Sequence, residues 1–176
     1  MAVISIDLAS KNYADIGVVV LERAGERIMV EPIRLTPERG FAGRPEAKAL
    51  ADFLAQYAAE IGATTILIDG PQAWKSLTTE VEHSRRCERD LATQGKTGLP
   101  GTTKPGTFLS FAQFSIELFD QLQTCGWARL AMKTPADPTD RVSVETYPTA
   151  AWRSLKLAPL PAKRRAKPGV VAGRLQ

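Results

Sequence analysis

Three acidic residues stand where acids are costly. Asp7 lies within the apolar run Ala2–Leu8, Asp69 closes the run that begins at Thr64, and Glu145 lies within Val142–Thr146. A buried carboxylate without a partner costs several kcal/mol or takes up a proton. Three such placements at or near strand ends point to a shared positive partner. If the strands are neighbours, their carboxylates converge on one edge of the sheet, where ligands of α/β proteins usually sit. Oxygen donors from Asp and Glu suit Mg2+ or Mn2+ rather than zinc. Taken singly, each acid is as readily a helix cap or an ion-pair member. Taken together, the three favour a cation site by about three to one.

A second constellation is cationic. His83, Arg85, Arg86, Glu88 and Arg89 fall within Thr79–Thr93, where Arg85 and Arg89 are i, i+4 neighbours, as are Glu82 and Arg86. The planar guanidinium fork recognises phosphate in a way that lysine does not. A merely solvated helix face explains the same spacing about two times in three. His83 is the only histidine, and nothing in its setting marks it as a base. Cys87 is not expected to act as a thiol nucleophile. The run Gly95-Lys96-Thr97 lacks the glycine five residues earlier (Asp90 stands there), so the chain has no P-loop.

These residues need elements to position them. Ala2–Leu8 suits a buried strand. Tyr13–Glu22 and Arg27–Leu35 read as a hairpin joined through Gly25. Pro45–Ile61 carries apolar residues at helical spacing and ends at Gly62, a C-cap. Thr64–Ile68 is a short strand stopped by Asp69-Gly70-Pro71. Thr79–Thr93 is expected as a helix, with Thr79 and Glu82 spaced as a capping box. Residues 95–107 are glycine- and proline-rich and read as a loop. Phe108–Gln123 is a helix, Trp127–Met132 and Val142–Thr146 are strands, and a last helix starts at Pro148. An antiparallel opening followed by alternating helices and strands predicts an α/β fold with a mixed sheet flanked by helices.

The 176 residues, 44% hydrophobic and 24% charged, match one globular domain. The expected domain is 1–157, followed by a basic, proline-containing tail over 158–176. The net charge of +4 is uneven. Lys156, Lys163, Arg164, Arg165, Lys167 and Arg174 lie in the last stretch with no acid beside them, and removing these six leaves residues 1–155 at −2. The tail is expected to pack poorly, and it serves equally as a phosphate contact or a solubilising segment. Two cysteines cannot build a disulfide framework. With no signal-like start and no apolar run near the ~20 residues of a membrane span, the expectation is a soluble cytoplasmic protein.

Four segments together carry a resemblance. ISIDLAS near the start, IDGPQAW, SRRCERDL and VETYPTAAW occur in order from about Val3 to Arg165, and in that order they resemble domain of unknown function 429, a predicted ribonuclease H-like nuclease family. The resemblance implies a ribonuclease H-like fold and a metal-dependent nuclease activity. It sets Asp7, Asp69 and Glu145 at the acidic metal-ligand positions. Arg86 and Arg89, flanking Cys87 and Glu88, match the family's arginine–cysteine helix motif, with a substrate or structural role. The family usually continues into a further helix bearing another aspartate, whereas no Asp or Glu follows Glu145 in this chain. The expectation is therefore a fold lacking the C-terminal helix, with an uncovered apolar face that promotes homo-oligomers.

The leading expectation is a nuclease that hydrolyses phosphodiester bonds of nucleic acid, with Mg2+ or Mn2+ held by Asp7, Asp69 and Glu145, metal-activated water as nucleophile, and Arg86 and Arg89 on phosphate. Two alternatives stand beside it. An actin-like or sugar-kinase-like phosphotransferase shares an Asp-bearing first strand, but it requires a glycine-rich loop where Ala9-Ser10-Lys11-Asn12 stands. A non-catalytic binding domain of the same fold is favoured by the missing fourth acid.

Overall fold

The computed structural model describes residues 2–78, 80–81, 83–130 and 140–157. Its centre is a six-stranded mixed sheet in the order β3-β2-β1-β4-β8-β7. These strands are β1 Ala2–Asp7, β2 Gly17–Ala24, β3 Arg27–Ile33, β4 Thr65–Asp69, β7 Ala128–Arg129 and β8 Val142–Thr146. The first three form an antiparallel meander, and β1, β4, β8 and β7 run parallel. The expected mixed sheet, antiparallel first and parallel afterwards, is what the chain forms.

Alternation along the strands decides what each face does. Ile4 and Ile6 of β1 and Ile66 and Ile68 of β4 point to one face and are fully buried. Helices α1, Ala47–Ile61, and α3, Leu109–Thr124, cover that face and pack against each other. Leu50, Leu54, Leu118, Leu122 and Trp127 complete the core. The opposite face carries Val3, Ser5 and Asp7 of β1 and Thr65, Leu67 and Asp69 of β4, all partly or fully exposed. Helix α1 stops where Gly62 enters the left-handed region at φ 66°, its N–H returning to the Ala58 carbonyl.

Local chemistry moved several boundaries. Residues Tyr13–Asp15 form a 3-10 turn rather than strand, because the Asn12 side chain accepts the Ala14 N–H. The hairpin loop shortens to Gly25-Glu26, with Gly25 at φ 63°. The expected helix over Thr79–Thr93 shrinks to α2, Arg86–Asp90. Arg85 is extended, at φ −73° and ψ 152°, and turns its side chain inward. Packing there overrides the helical propensity of the residues before it. The stretch 95–107 is not all loop: β5, Lys96–Thr97, pairs with β6, Thr103–Lys104, in a small antiparallel ladder. Helix α4 spans Pro148–Ser154, with proline in its first turn. The Thr79–Glu82 capping box, the end of the expected strand at Met132 and the tail 158–176 lie outside the described residues. Among the described residues no helix is long and apolar enough to cross a membrane.

Candidate functional site

Asp7 and Asp69 are backbone partners in the parallel ladder of β1 and β4, each the last residue of its strand. Partners in register share a face, and neighbouring strands lie about 4.8 Å apart. Two carboxylates thus stand side by side at the C-terminal edge, on the face away from α1 and α3. On the other side of Asp7 the partner is Gly17, so β2 brings no side chain against it, and Asp7 is exposed.

Glu145 answers to a different register. It pairs with Ile68, while Thr146 pairs with Asp69. Glu145 therefore belongs to the helix-covered face, and its carboxylate is gripped from that side. Arg85 Nη1 donates to Glu145 Oε2 at 2.6 Å, and Nη2 donates to Oε1 at 2.6 Å. The same guanidinium holds Glu88 Oε1 through Nε at 2.9 Å and Nη2 at 2.7 Å. Glu88 Oε2 accepts the backbone N–H groups of Arg85 and Thr97, and Glu145 Oε2 also accepts that of Gln72. One arginine thus ties α2, β8, the loop after β4 and β5 into a single buried knot. The expectation that the three acids meet at one point divides here: Asp7 and Asp69 sit together, and Glu145 is committed to Arg85.

Burial opposes the charge on Arg85, yet the hydrogen bonds and charge of Glu145, with Tyr147 and Glu88 behind them, push its pKa above the usual arginine value. Tyr147 lies within 3.4 Å of Arg85 Nη2 and donates to Cys87 Sγ at 3.1 Å. Burial first, then the Glu145 charge, pushes its phenol well above the usual tyrosine value.

Sequence reasoning put Arg86 and Arg89 beside the acids. Both are exposed and pair with Asp90 of their own helix, at 3.6 Å and 3.4 Å. The guanidinium that reaches an acid is Arg85, one position earlier. The available signal was Glu88 three residues on, the glutamate of a capping box whose first position is an arginine. His83 is exposed and Cys87 half-buried.

Two clefts open near the strand ends. One, of about 370 Å3, runs from Asp69 past Arg85 and Glu145 to Phe108, Phe111 and Arg153. The other, of about 630 Å3, lies between Ser10, the start of α1 with Arg44 and Lys48, and Ser110 of α3. Ser10 follows Asp7 by three residues, and its hydroxyl lies 3.4 Å from that of Ser110.

As a donor set, Asp7 and Asp69 offer hard oxygen ligands from two adjacent rigid strands, the chemistry that Mg2+ or Mn2+ requires. They fit such an ion. Glu145, bound twice by Arg85, does not fit as a third ligand in this arrangement. Among the described residues no group of three or more His, Cys, Asp or Glu is clustered to hold a metal.

No family model, no curated protein and no solved structure matches this chain.

Proposed function

We propose that this chain is a ribonuclease H-like nuclease that depends on a divalent cation, the activity implied by its resemblance to domain of unknown function 429. The observation that carries this reading is the in-register pair Asp7 and Asp69 at the C-terminal ends of adjacent parallel strands. The sheet order, three antiparallel strands followed by parallel ones, agrees with that fold. Asp7 and Asp69 would hold Mg2+ or Mn2+, which when bound supplies positive charge against phosphodiester oxygens and acidifies water. Asp7, open to solvent beside Gly17, is the carboxylate a nucleic-acid strand reaches first. Asp69 is the more enclosed, and the loop after it is pinned where Gln72 N–H donates to Glu145. Glu145 and Arg85 are positioning residues in this reading, fixing that loop.

The test pairs metal binding with hydrolysis. Calorimetric titration with Mn2+ is expected to show uptake by the full chain, and Asp7→Asn and Asp69→Asn each abolish it. Labelled DNA and RNA, single- and double-stranded, incubated with Mg2+ or Mn2+ are expected to be cut by the wild type and not by either variant. Glu145→Gln is expected to keep Mn2+ uptake while losing thermal stability. If Glu145→Gln loses uptake as completely as Asp7→Asn does, the three-acid site is right and a positioning role for Glu145 is wrong. A second reading, a non-catalytic binding domain, draws on the capture of Glu145 by Arg85; wild-type chain that takes up no Mn2+ and cuts nothing would establish it.

A further inference from the structure

Among the described residues strand β3 is one edge of the sheet, and the middle of that edge is apolar. Ile28, Met29 and Val30 are exposed by 68%, 58% and 60%. Natural sheets usually blunt such an edge with charge, proline or a bulge, because its unpaired N–H and C=O groups recruit another strand. Here the sequence Arg27-Ile28-Met29-Val30-Glu31-Pro32 presents three apolar residues in a row between opposite charges.

Proline fixes which backbone groups face outward. Pro32 pairs with Val19 of β2 yet has no N–H to give it. It therefore occupies a position whose groups point away from β2. Alternation puts Ile28 and Val30 in the same outward set, with Met29 and Glu31 bonded inward to β2.

We propose that β3 is a homodimer interface, pairing antiparallel with β3 of a second copy about a two-fold axis at Met29. In that register Ile28 of each copy faces Val30 of the other, and their outward N–H and C=O groups form four backbone hydrogen bonds. Arg27 of each copy then faces Glu31 of the other, so one strand supplies both halves of two ion pairs. Among the described residues neither Arg27 nor Glu31 forms an ion pair within its own chain. The two faces separate cleanly. Arg27, Met29 and Glu31 share one side, and the Ile28–Val30 pairs share the other. There they extend the apolar line of Leu21 and Val3, because Val30 is paired with Leu21 and Leu21 with Val3. Moving the register one step toward Pro32 sets Glu31 against Met29 and breaks both ion pairs, so charge selects the register. Pro32 ends the ladder, since it faces only the hairpin turn of the other copy. The interface is isologous and closes as a dimer rather than growing into a filament. A single strand pair buries less than the roughly 1,000 Å2 of stable complexes, so the dimer is reversible.

Sedimentation velocity of the full chain, from low micromolar to about 0.5 mM, reads this directly. The expected result is a monomer–dimer equilibrium. Arg27→Glu and Glu31→Arg, each alone, set like charges opposite one another and weaken association by about tenfold. The double variant Arg27→Glu/Glu31→Arg restores it. Val30→Pro removes an outward N–H that the monomer does not use, so circular dichroism stays native while the dimer is lost. A chain that is monomeric throughout overturns the proposal. So does a dimer indifferent to Val30→Pro, or one that the charge swap fails to restore.

Discussion

Replacing Arg85 by methionine isolates the most concentrated electrostatics in the molecule. The side chains of Arg85, Glu88 and Glu145 are 10%, 3% and 6% exposed, and four charge-assisted hydrogen bonds link them. Methionine fills much of the same volume and makes none of these bonds. It strands two carboxylates in a site shaped to hold them charged. Removing one partner of a buried ion pair costs about 3–5 kcal/mol, most of it from the orphaned charge. For a chain of this length that lowers the melting temperature on the order of 10 °C. Urea unfolding followed through buried Trp127 measures the loss. In the wild type Arg85 stays charged at every accessible pH, since its pKa is raised. A second variant, Arg85→Met/Glu145→Gln, removes one orphan and is expected to recover part of the loss. A deficit below about 1 kcal/mol at pH 7 would overturn this account of the ion pair.

Two further outcomes follow from the surroundings of this knot. Tyr147, whose pKa is raised, stays neutral in the folded chain while the unfolded chain ionises it above pH 10.0; its stabilisation is complete below that pH and is lost above it, so urea midpoints drop on the alkaline side and Tyr147→Phe flattens the drop. Gly70→Ala sets a Cβ 2.4 Å from Ser115 Oγ and 3.2 Å from Leu8 Cδ1, displacing the hydroxyl that donates to Pro71; the expected cost is about 1–3 kcal/mol by thermal melt, and Gly70→Ala/Ser115→Gly recovers part of it.

The parts of the fold legible in the sequence are those whose signals are local. Short apolar runs marked β1 and β4, Gly25 marked the hairpin, and the apolar spacing before Gly62 marked α1. The register between strands is not local. Whether β8 meets β4 with Glu145 or Thr146 opposite Asp69 depends on how the two strands slide, and a slip of one residue moves a side chain to the other face. That one step separates three converging acids from two acids and an ion pair. Helix α2 failed for a related reason. Its residues carry helical spacing, but Arg85 gains more from burying its guanidinium between two carboxylates than from joining a helical turn. Thr79 and Glu82 matched the capping pattern, whereas the glutamate that caps α2 is Glu88.

The division of the acids between two faces bears directly on how a cation would be held. For Glu145 to join Asp7 and Asp69 on one ion, its two hydrogen bonds to Arg85 must break and its carboxylate must leave the helix-covered face. The first step alone uncovers a buried guanidinium whose only other acidic partner among the described residues is Glu88, at a cost of the same order as removing a partner outright, about 3–5 kcal/mol. Deprotonating Arg85 offers no route, because its neighbours raise its pKa rather than lower it. A third carboxylate would have to strengthen cation binding by more than a hundredfold to repay that cost. Two aspartates at the ends of adjacent strands hold an ion without it. Glu145 then serves the site from behind, by fixing the loop that leaves Asp69, and its loss should register in stability before it registers in metal uptake.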